Sequence, residues 1–146
     1  MLPEQNTIMI VDDSPIIVRK VSMMLEAIGY KVVATAANGN QAIEAYRKNR
    51  PEAVTMDITM PEMDGIEATR AIIAEFPDAN IVMVTSLGQE KIVLEALQAG
   101  AKGYLIKPFK ENKLFETIEK ACKREIAPEE IDEEVARRKA AKKATA

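Results

Sequence analysis

Short runs of apolar, mostly β-branched residues recur along the chain and alternate with longer segments of mixed character. Each run spans four to six residues without alternating polar positions, which is typical of strands that are buried on both faces of a sheet. Five strands are predicted, at residues 7–11, 31–35, 53–56, 80–85 and 102–106. The pattern therefore indicates a parallel sheet with other structure packed on both sides.

The segments between these runs repeat apolar residues at the spacing of helical turns. Ser14 and Pro15 supply an N-cap and a first-turn proline, Gly29 ends the first helix, and Asn38 caps the second. Helices are predicted at about residues 15–28, 38–49, 66–76, 90–99 and 111–125. Five repeats of strand then helix imply right-handed crossovers and a doubly wound α/β fold.

Polar residues follow four of the five predicted strands. Asp12 and Asp13 follow the first strand, Asp57 the third, Thr85 the fourth and Lys107 the fifth. Ligands of doubly wound sheets bind outside the carboxyl ends of the strands, where the strand order reverses. If the order is 2-1-3-4-5, the first and third strands are neighbours. Three carboxylates then converge, and the lysine approaches from the far side.

Three carboxylates in one pocket repel one another unless some are protonated or a cation neutralises them, and Mg²⁺ fits an all-oxygen site best. Asp57 is then either a metal ligand or a nucleophile that accepts a phosphoryl group, whose oxygens Mg²⁺, Lys107 and Thr85 would neutralise. Two plainer interpretations remain: Asp12 and Asp13 favour the N-terminus of the following helix, and Lys107 is a solvated surface residue. The Lys107–Pro108 peptide is a candidate for the cis form.

Composition limits the chemistry further. The 146 residues contain no histidine, which excludes Ser-His-Asp and Cys-His catalysis, His-based zinc sites and a phosphohistidine on this chain. A net charge of −3 and a pI near 5.2 give no case for a nucleic-acid partner. One cysteine and the lack of any run long enough to span a bilayer lead us to expect a cytoplasmic protein that has no membrane partner.

Four sequence elements taken together resemble the receiver domains of two-component response regulators. They are the Asp12-Asp13 pair, VTMDITMPEMDG around Asp57, TSLGQ after the fourth strand and AGAKGYLIKPF at the fifth. The similarity is greatest to the single-domain chemotaxis receivers found outside the enteric bacteria, and it covers about residues 6–122. It implies a flavodoxin-like (βα)5 fold with strand order 2-1-3-4-5, a receiver domain over residues 1–125 and an extension over 126–146.

The resemblance also implies roles for individual residues. Asp57 would accept a phosphoryl group from a phosphohistidine on a partner histidine kinase. Mg²⁺ would be held by Asp13, Asp57 and the backbone carbonyl of Thr59, while Asp12 acts largely through water. Lys107 would pair with the phosphoryl group.

A switch is implied as well, in which Thr85 moves toward the phosphoryl group while Tyr104 changes rotamer inward. The plainer interpretation of Tyr104 is a partly exposed strand aromatic. Two positions depart from the enteric pattern, Thr59 and Leu87, and both lie near the path of an attacking water. The lifetime of the phosphoryl group and the phosphatase that removes it are therefore open.

The function implied is a phosphorylation-activated signalling switch that binds a target, in chemotaxis the flagellar motor switch, rather than a conventional enzyme. One alternative is a single-domain receiver in a phosphorelay unrelated to motility. Another is an aspartate-based phosphohydrolase, although such enzymes usually place a second acid where this chain has Thr59. A flavodoxin-like phosphate binder is disfavoured because Asp12 and Asp13 would repel phosphate.

The segment after residue 122 predicts a sixth helix, at about residues 129–143, after a break at Ala127-Pro128. Acidic residues come first and basic residues follow, which complements the helix dipole and offers the pairs Glu133–Arg137 and Glu134–Arg138. Its apolar stripe is little more than Ile131 and Val135. Three outcomes are open: the helix packs weakly on its own chain, it pairs with another chain, or it frays.

Overall fold

Five strands alternate with five helices, and a sixth helix follows, in the computed structural model, which describes residues 5–86 and 88–144. The strands are β1 Thr7–Val11, β2 Lys31–Ala36, β3 Ala53–Asp57, β4 Ile81–Thr85 and β5 Gly103–Ile106. The helices are α1 Pro15–Ala27, α2 Gly39–Asn49, α3 Gly65–Glu75, α4 Glu90–Gln98, α5 Glu111–Ala121 and α6 Ile131–Ala144, the last preceded by a 3₁₀ turn at Pro128–Glu130. No helix in these described ranges combines the length and the apolar character that crossing a membrane requires.

The five strands form one parallel sheet in the order β2-β1-β3-β4-β5, as predicted. Within it Val11 lies opposite Met56, Asp57 opposite Val84, and Thr85 opposite Ile106. The carboxyl ends of β1, β3, β4 and β5 therefore meet at one edge. The doubly wound (βα)5 fold class with an additional C-terminal helix is confirmed.

Two apolar clusters, one on each face of the sheet, explain why the central strands lack polar alternation. One cluster packs residues of β1, β3 and β4 against α2, α3 and α4, and includes Met56 and Met83. The other packs the opposite side chains against α1, α5 and α6, and includes Ile10 and Phe115. Every residue of β1, β3 and β4 is buried.

The helix ends follow the predicted caps except at α5. Ser14 Oγ accepts from Ile17 N, and Asn38 Oδ1 accepts from Gln41 N. The predicted fifth helix, about residues 111–125, is too long, because α5 ends at Ala121. Lys123 there adopts a positive φ of 61°, which closes the helix with backbone bonds from Lys123 N and Arg124 N back into its last turn. A lysine in the place usually taken by glycine gave no stop signal in the sequence.

The sixth helix packs on its own chain. Ile131 and Val135 are 6% and 3% exposed and join the cluster of α1 and α5. The predicted Glu134–Arg138 pair forms, at 3.4 Å. The predicted Glu133–Arg137 pair is wrong, since Arg137 binds Glu134 one turn back, a partner that helical spacing allows equally well.

Candidate functional site

Three carboxylates converge at the carboxyl edge of the sheet. Asp12 follows β1 and is fixed there because its backbone N–H donates to Ala36 O, at 3.0 Å. Asp57 is the last residue of β3. Each of Asp12, Asp13 and Asp57 offers a carboxylate oxygen, and these oxygens lie within 4.8 Å of one another. The strand order therefore brings the three carboxylates together, as the sequence predicted.

Lys107 reaches the same cluster from β5, as expected. Its backbone N–H donates to Thr85 O at 2.8 Å, which ties the lysine to the end of β4. Its Nζ lies 2.9 Å from Asp12 Oδ2 and 3.6 Å from Asp57 Oδ1, so one ammonium faces two carboxylates. The Lys107–Pro108 peptide is cis.

The electrostatic environment makes Asp57 a weaker acid than usual. Its pKa is raised from 3.8 to about 6, chiefly by burial and also by the neighbouring charges of Asp12 and Asp13, while the Lys107 ammonium offsets part of the increase. Asp57 is 7% exposed. Its ionised form is therefore penalised in this pocket, and a bound cation would relieve that penalty.

The donor set suits a hard divalent cation. Carboxylate oxygens are the ligands that Mg²⁺ takes in proteins, usually together with retained waters. Asp12 and Asp57 are buried, whereas Asp13 is exposed, so the cluster has an open side where waters can complete the coordination. The residues present therefore fit the predicted Mg²⁺.

The other predicted residues lie at different distances from this cluster. Thr85 is buried at the end of β4, beside Asp57's strand. Tyr104 pairs with Met83 two positions before the ends of their strands, and its half-buried ring packs against the α2–α4 cluster. Burial raises the pKa of Tyr104. Thr59 is exposed in the loop after β3, and Leu87 lies outside the described residues.

Two positions that hold the site were missed by the sequence reasoning. Ser14 N donates to Asp12 Oδ1 at 2.9 Å, and thereby fixes the carboxylate. Gly65 begins α3, and a Cβ built there would lie 2.0 Å from Asp57 O. Only glycine lets the chain return this closely to the end of β3, where Gly65 N donates to Ile58 O at 2.8 Å. The glycine that follows MPEMD in the sequence, Gly65, was the signal that could have revealed this close approach.

Comparison with protein families gives one match over most of the chain. The family model described as "Response regulator receiver domain" matches residues 8–119. That span runs from the second residue of β1 through most of α5 and contains every residue of the carboxylate and lysine cluster.

Individual relatives agree with the family match. The chain is 45% identical to the chemotaxis protein CheY of Bacillus subtilis over 113 residues, which cover 77% of this chain and 94% of that protein. It is similar to the CheY structure in the CheX–CheY–BeF3–Mg complex from Borrelia burgdorferi, with a TM-score of 0.76, 33% identity, and coverage of 78% of this chain and 87% of that one. A LuxR-family response regulator from Aurantimonas has a TM-score of 0.77 at 36% identity, covering 92% of this chain and 97% of that one.

Proposed function

Because the chain belongs to the response regulator receiver domain family, we propose that it is a signalling switch activated by phosphorylation of Asp57. The donor implied by the resemblance to the family is a phosphohistidine on a partner histidine kinase; this chain has no histidine that could carry it. The observation that carries the proposal is the buried Asp57 carboxylate, which faces both an acidic metal-ligand cluster and the Lys107 ammonium. Residues 1–125 would form the receiver and residues 126–146 an extension.

The residues divide the work of phosphoryl transfer as follows. An Asp57 carboxylate oxygen bonds to phosphorus while the bond between phosphorus and the donor nitrogen breaks, which leaves an aspartyl-phosphate. Lys107 lies close enough to stabilise negative charge on the phosphoryl oxygens, and Thr85 at the neighbouring strand end supplies a hydroxyl. Mg²⁺ held by the carboxylate cluster would supply further neutralisation of negative charge during the transfer.

The ligand set assigned to Mg²⁺ is Asp13, Asp57 and the backbone carbonyl of Thr59. Asp12 already accepts from Ser14 N through one oxygen and from Lys107 through the other. This use of both oxygens supports a role for Asp12 through water, and leaves Asp13 as the more available direct ligand. The Borrelia burgdorferi relative, whose structure is described as a complex with BeF3 and Mg, supports the same type of site.

The output is binding of a target protein. Phosphorylation would draw Thr85 toward the phosphoryl group while Tyr104 turns inward, and would thereby reshape the surface of α4, β5 and α5. Tyr104 packs against the cluster that includes Ala96 of α4, which offers a physical route for that coupling. The relatives named as chemotaxis proteins support a role in chemotaxis, and within that role we propose a flagellar motor switch protein as the target.

The proposal is tested by incubating the protein with Mg²⁺ and acetyl phosphate and locating the modification by mass spectrometry after trapping. We expect one phosphoryl group on Asp57, lost when a chelator removes the metal and lost in Asp57→Asn. Asp78→Asn is the matched control, because Asp78 is an exposed aspartate outside the cluster. Modification that persists in Asp57→Asn would refute the mechanism.

The alternatives make different predictions. An aspartate-based phosphohydrolase would release many phosphates per chain, whereas a switch retains its phosphoryl group and changes its binding partners; Thr59 in place of a second acid disfavours the hydrolase. A receiver in a phosphorelay unrelated to motility would be phosphorylated equally well but would not bind the motor switch. A pull-down that compares the phosphorylated with the unphosphorylated chain distinguishes a motor switch protein from a phosphorelay partner. The same experiment would recover a phosphatase that binds the phosphorylated chain.

A further inference from the structure

The loop that carries Lys107 is short and leads directly into α5. Lys107 is held on one side by its backbone bond to Thr85 O. On the other side only Pro108, Phe109 and Lys110 separate it from the first turn of α5. The position of the ammonium over Asp12 and Asp57 therefore depends on where that first turn lies.

The first turn of α5 has no cap of the kind that α1, α2 and α3 have. Those helices begin at side-chain acceptors, Ser14, Asn38 and Asp64. The N-cap position of α5 is Lys110, whose side chain carries donors only and cannot accept from the free backbone amides. An uncapped first turn is prone to fray.

Contacts from α6 hold this turn instead. Lys139 Nζ lies 2.8 Å from Glu111 Oε1, and the Asn112 amide donates to the Asp132 carboxylate. One turn further along α5, the Arg138 guanidinium lies 4.7 Å from the centre of the Phe115 ring. The same Arg138 donates to Ile28 O at the end of α1, 3.2 Å away, so α6 links α1 to the start of α5.

The Lys107 loop and α6 also share one apolar cluster. Phe109 packs against the cluster that contains Ile131 and Val135 of α6. Release of α6 would uncover part of that cluster beside the loop. The family match ends at residue 119, so the α6 side of each of these contacts lies beyond the part of the chain that the family shares, whereas their partners on the loop and on α5 lie within it.

We propose that α6 is a brace for the Lys107 loop, in which Asp132 and Lys139 act as positioning residues for phosphoryl transfer by holding the first turn of α5. The inference rests on the proposed function of the site. Phosphoryl transfer depends on the position of its stabilising charges, so a loosened Lys107 slows transfer without changing the residues that touch the phosphoryl group. A partner that removes α6 would then lower the reactivity of Asp57.

The principal test compares Val135→Asp with Ala136→Asp in the full chain. The first places a charge on a buried face of α6, and the second places the same charge on its exposed face. Hydrogen exchange with mass spectrometry would follow the amides of α6 and of the first turn of α5, while acetyl phosphate with Mg²⁺ gives the rate of Asp57 phosphorylation. We expect Val135→Asp to deprotect both segments and to slow phosphorylation by about tenfold, and Ala136→Asp to do neither.

A charge swap tests the contact between Lys139 and Glu111 by itself. Glu111→Lys and Lys139→Glu should each slow phosphorylation, and the double variant should recover the parent rate. An effect on stability alone would lower the unfolding midpoint but leave the rate unchanged at a temperature where every chain is folded. That result would overturn the proposal that α6 braces the loop. So would a Val135→Asp chain in which the α6 amides exchange freely while the first turn of α5 stays protected and Asp57 is phosphorylated at the parent rate.

Two further outcomes are informative. If Val135→Asp keeps α6 docked, the double variant Ile131→Asp with Val135→Asp replaces it, and an unchanged rate with α6 released again overturns the inference. If no chain is phosphorylated, the proposed function fails. Hydrogen exchange at the first turn of α5 in Val135→Asp then still decides whether α6 holds that turn.

Discussion

Replacing Asp57 by asparagine should stabilise the metal-free protein at neutral pH. The substitution keeps the shape of the side chain and removes a charge that the folded chain holds at a cost. Burial and the charges of Asp12 and Asp13 raise the pKa of Asp57 from 3.8 to about 6, so the folded state binds this proton more tightly than the unfolded state does. The contribution of Asp57 to the free energy of unfolding therefore falls as pH rises from about 4 to about 6, and changes little above that.

The size of the effect follows from the two pKa values. Each pKa unit corresponds to about 1.4 kcal/mol, so ionised Asp57 costs the folded state about 3 kcal/mol above pH 7. At about pH 4.5 the same relation gives about 1 kcal/mol. Asp57→Asn should therefore exceed the parent in stability by an amount that shrinks by about 2 kcal/mol between these conditions.

Urea unfolding followed by far-UV circular dichroism measures this difference in the presence of a chelator. Other carboxylates titrate in both proteins, so their contributions largely cancel in the comparison. Asp78→Asn is the control, and its difference from the parent should be small at both pH values because Asp78 is exposed. Added Mg²⁺ should stabilise the parent more than Asp57→Asn. A difference that does not change with pH would refute the argument that the pocket penalises the ionised aspartate.

Three other substitutions follow from single contacts. Lys107→Met removes the ammonium facing Asp57, so the pKa of Asp57 should rise above about 6; a carboxyl NMR titration that gave a lower value would contradict this. Gly65→Ala should cost about 1–3 kcal/mol in urea unfolding because its Cβ meets backbone, whereas Gly88→Ala meets only a side-chain end and should cost clearly less. Tyr30→Phe removes a buried hydroxyl donor to a carboxylate and should cost about 1 kcal/mol by the same measurement; an unchanged midpoint would show that the bond contributes nothing.

The sequence predicted the sheet well because burial on both faces leaves a clear signal. Continuous apolar runs located all five strands, and the strand order 2-1-3-4-5 that the resemblance implied makes β1 and β3 neighbours, as the structure has them. The ends of helices were predictable where a cap is chemically distinctive, as at Ser14 and Asn38. The end of α5 was not, because Lys123 adopts the conformation that glycine usually takes.

The docking of α6 could not be predicted from its apolar stripe alone. Only two of its residues, Ile131 and Val135, are buried apolar side chains. Much of the remaining contact comes from Arg138, which stacks on Phe115 and bonds a backbone carbonyl of α1 at the same time. Hydrophobic patterning counts such a residue as polar, although its guanidinium and stem pack against the body of the protein.

At the site, too, some features could be predicted from the sequence and others could not. Strand order was enough to bring Asp12, Asp57 and Lys107 together, because parallel strands end at a common edge. The sharing of one ammonium between two carboxylates depends on side-chain rotamers, which no spacing in the sequence fixes. The close approach of Gly65 to Asp57 depends on how the loop after β3 folds back over the strand end.

The ammonium of Lys107, which Asp12 and Asp57 share, also determines which cation can neutralise the net charge of the site. Three ionised carboxylates and one lysine leave two negative charges, which a divalent cation neutralises completely. A monovalent ion would leave one negative charge and a trivalent ion one positive charge. When a doubly charged phosphoryl group replaces the single charge of Asp57, the site holding its divalent cation becomes negative by one. If Asp57 is phosphorylated as we propose, the site would attract a further hydrogen-bond donor, which is the role proposed above for Thr85 at the end of the neighbouring strand.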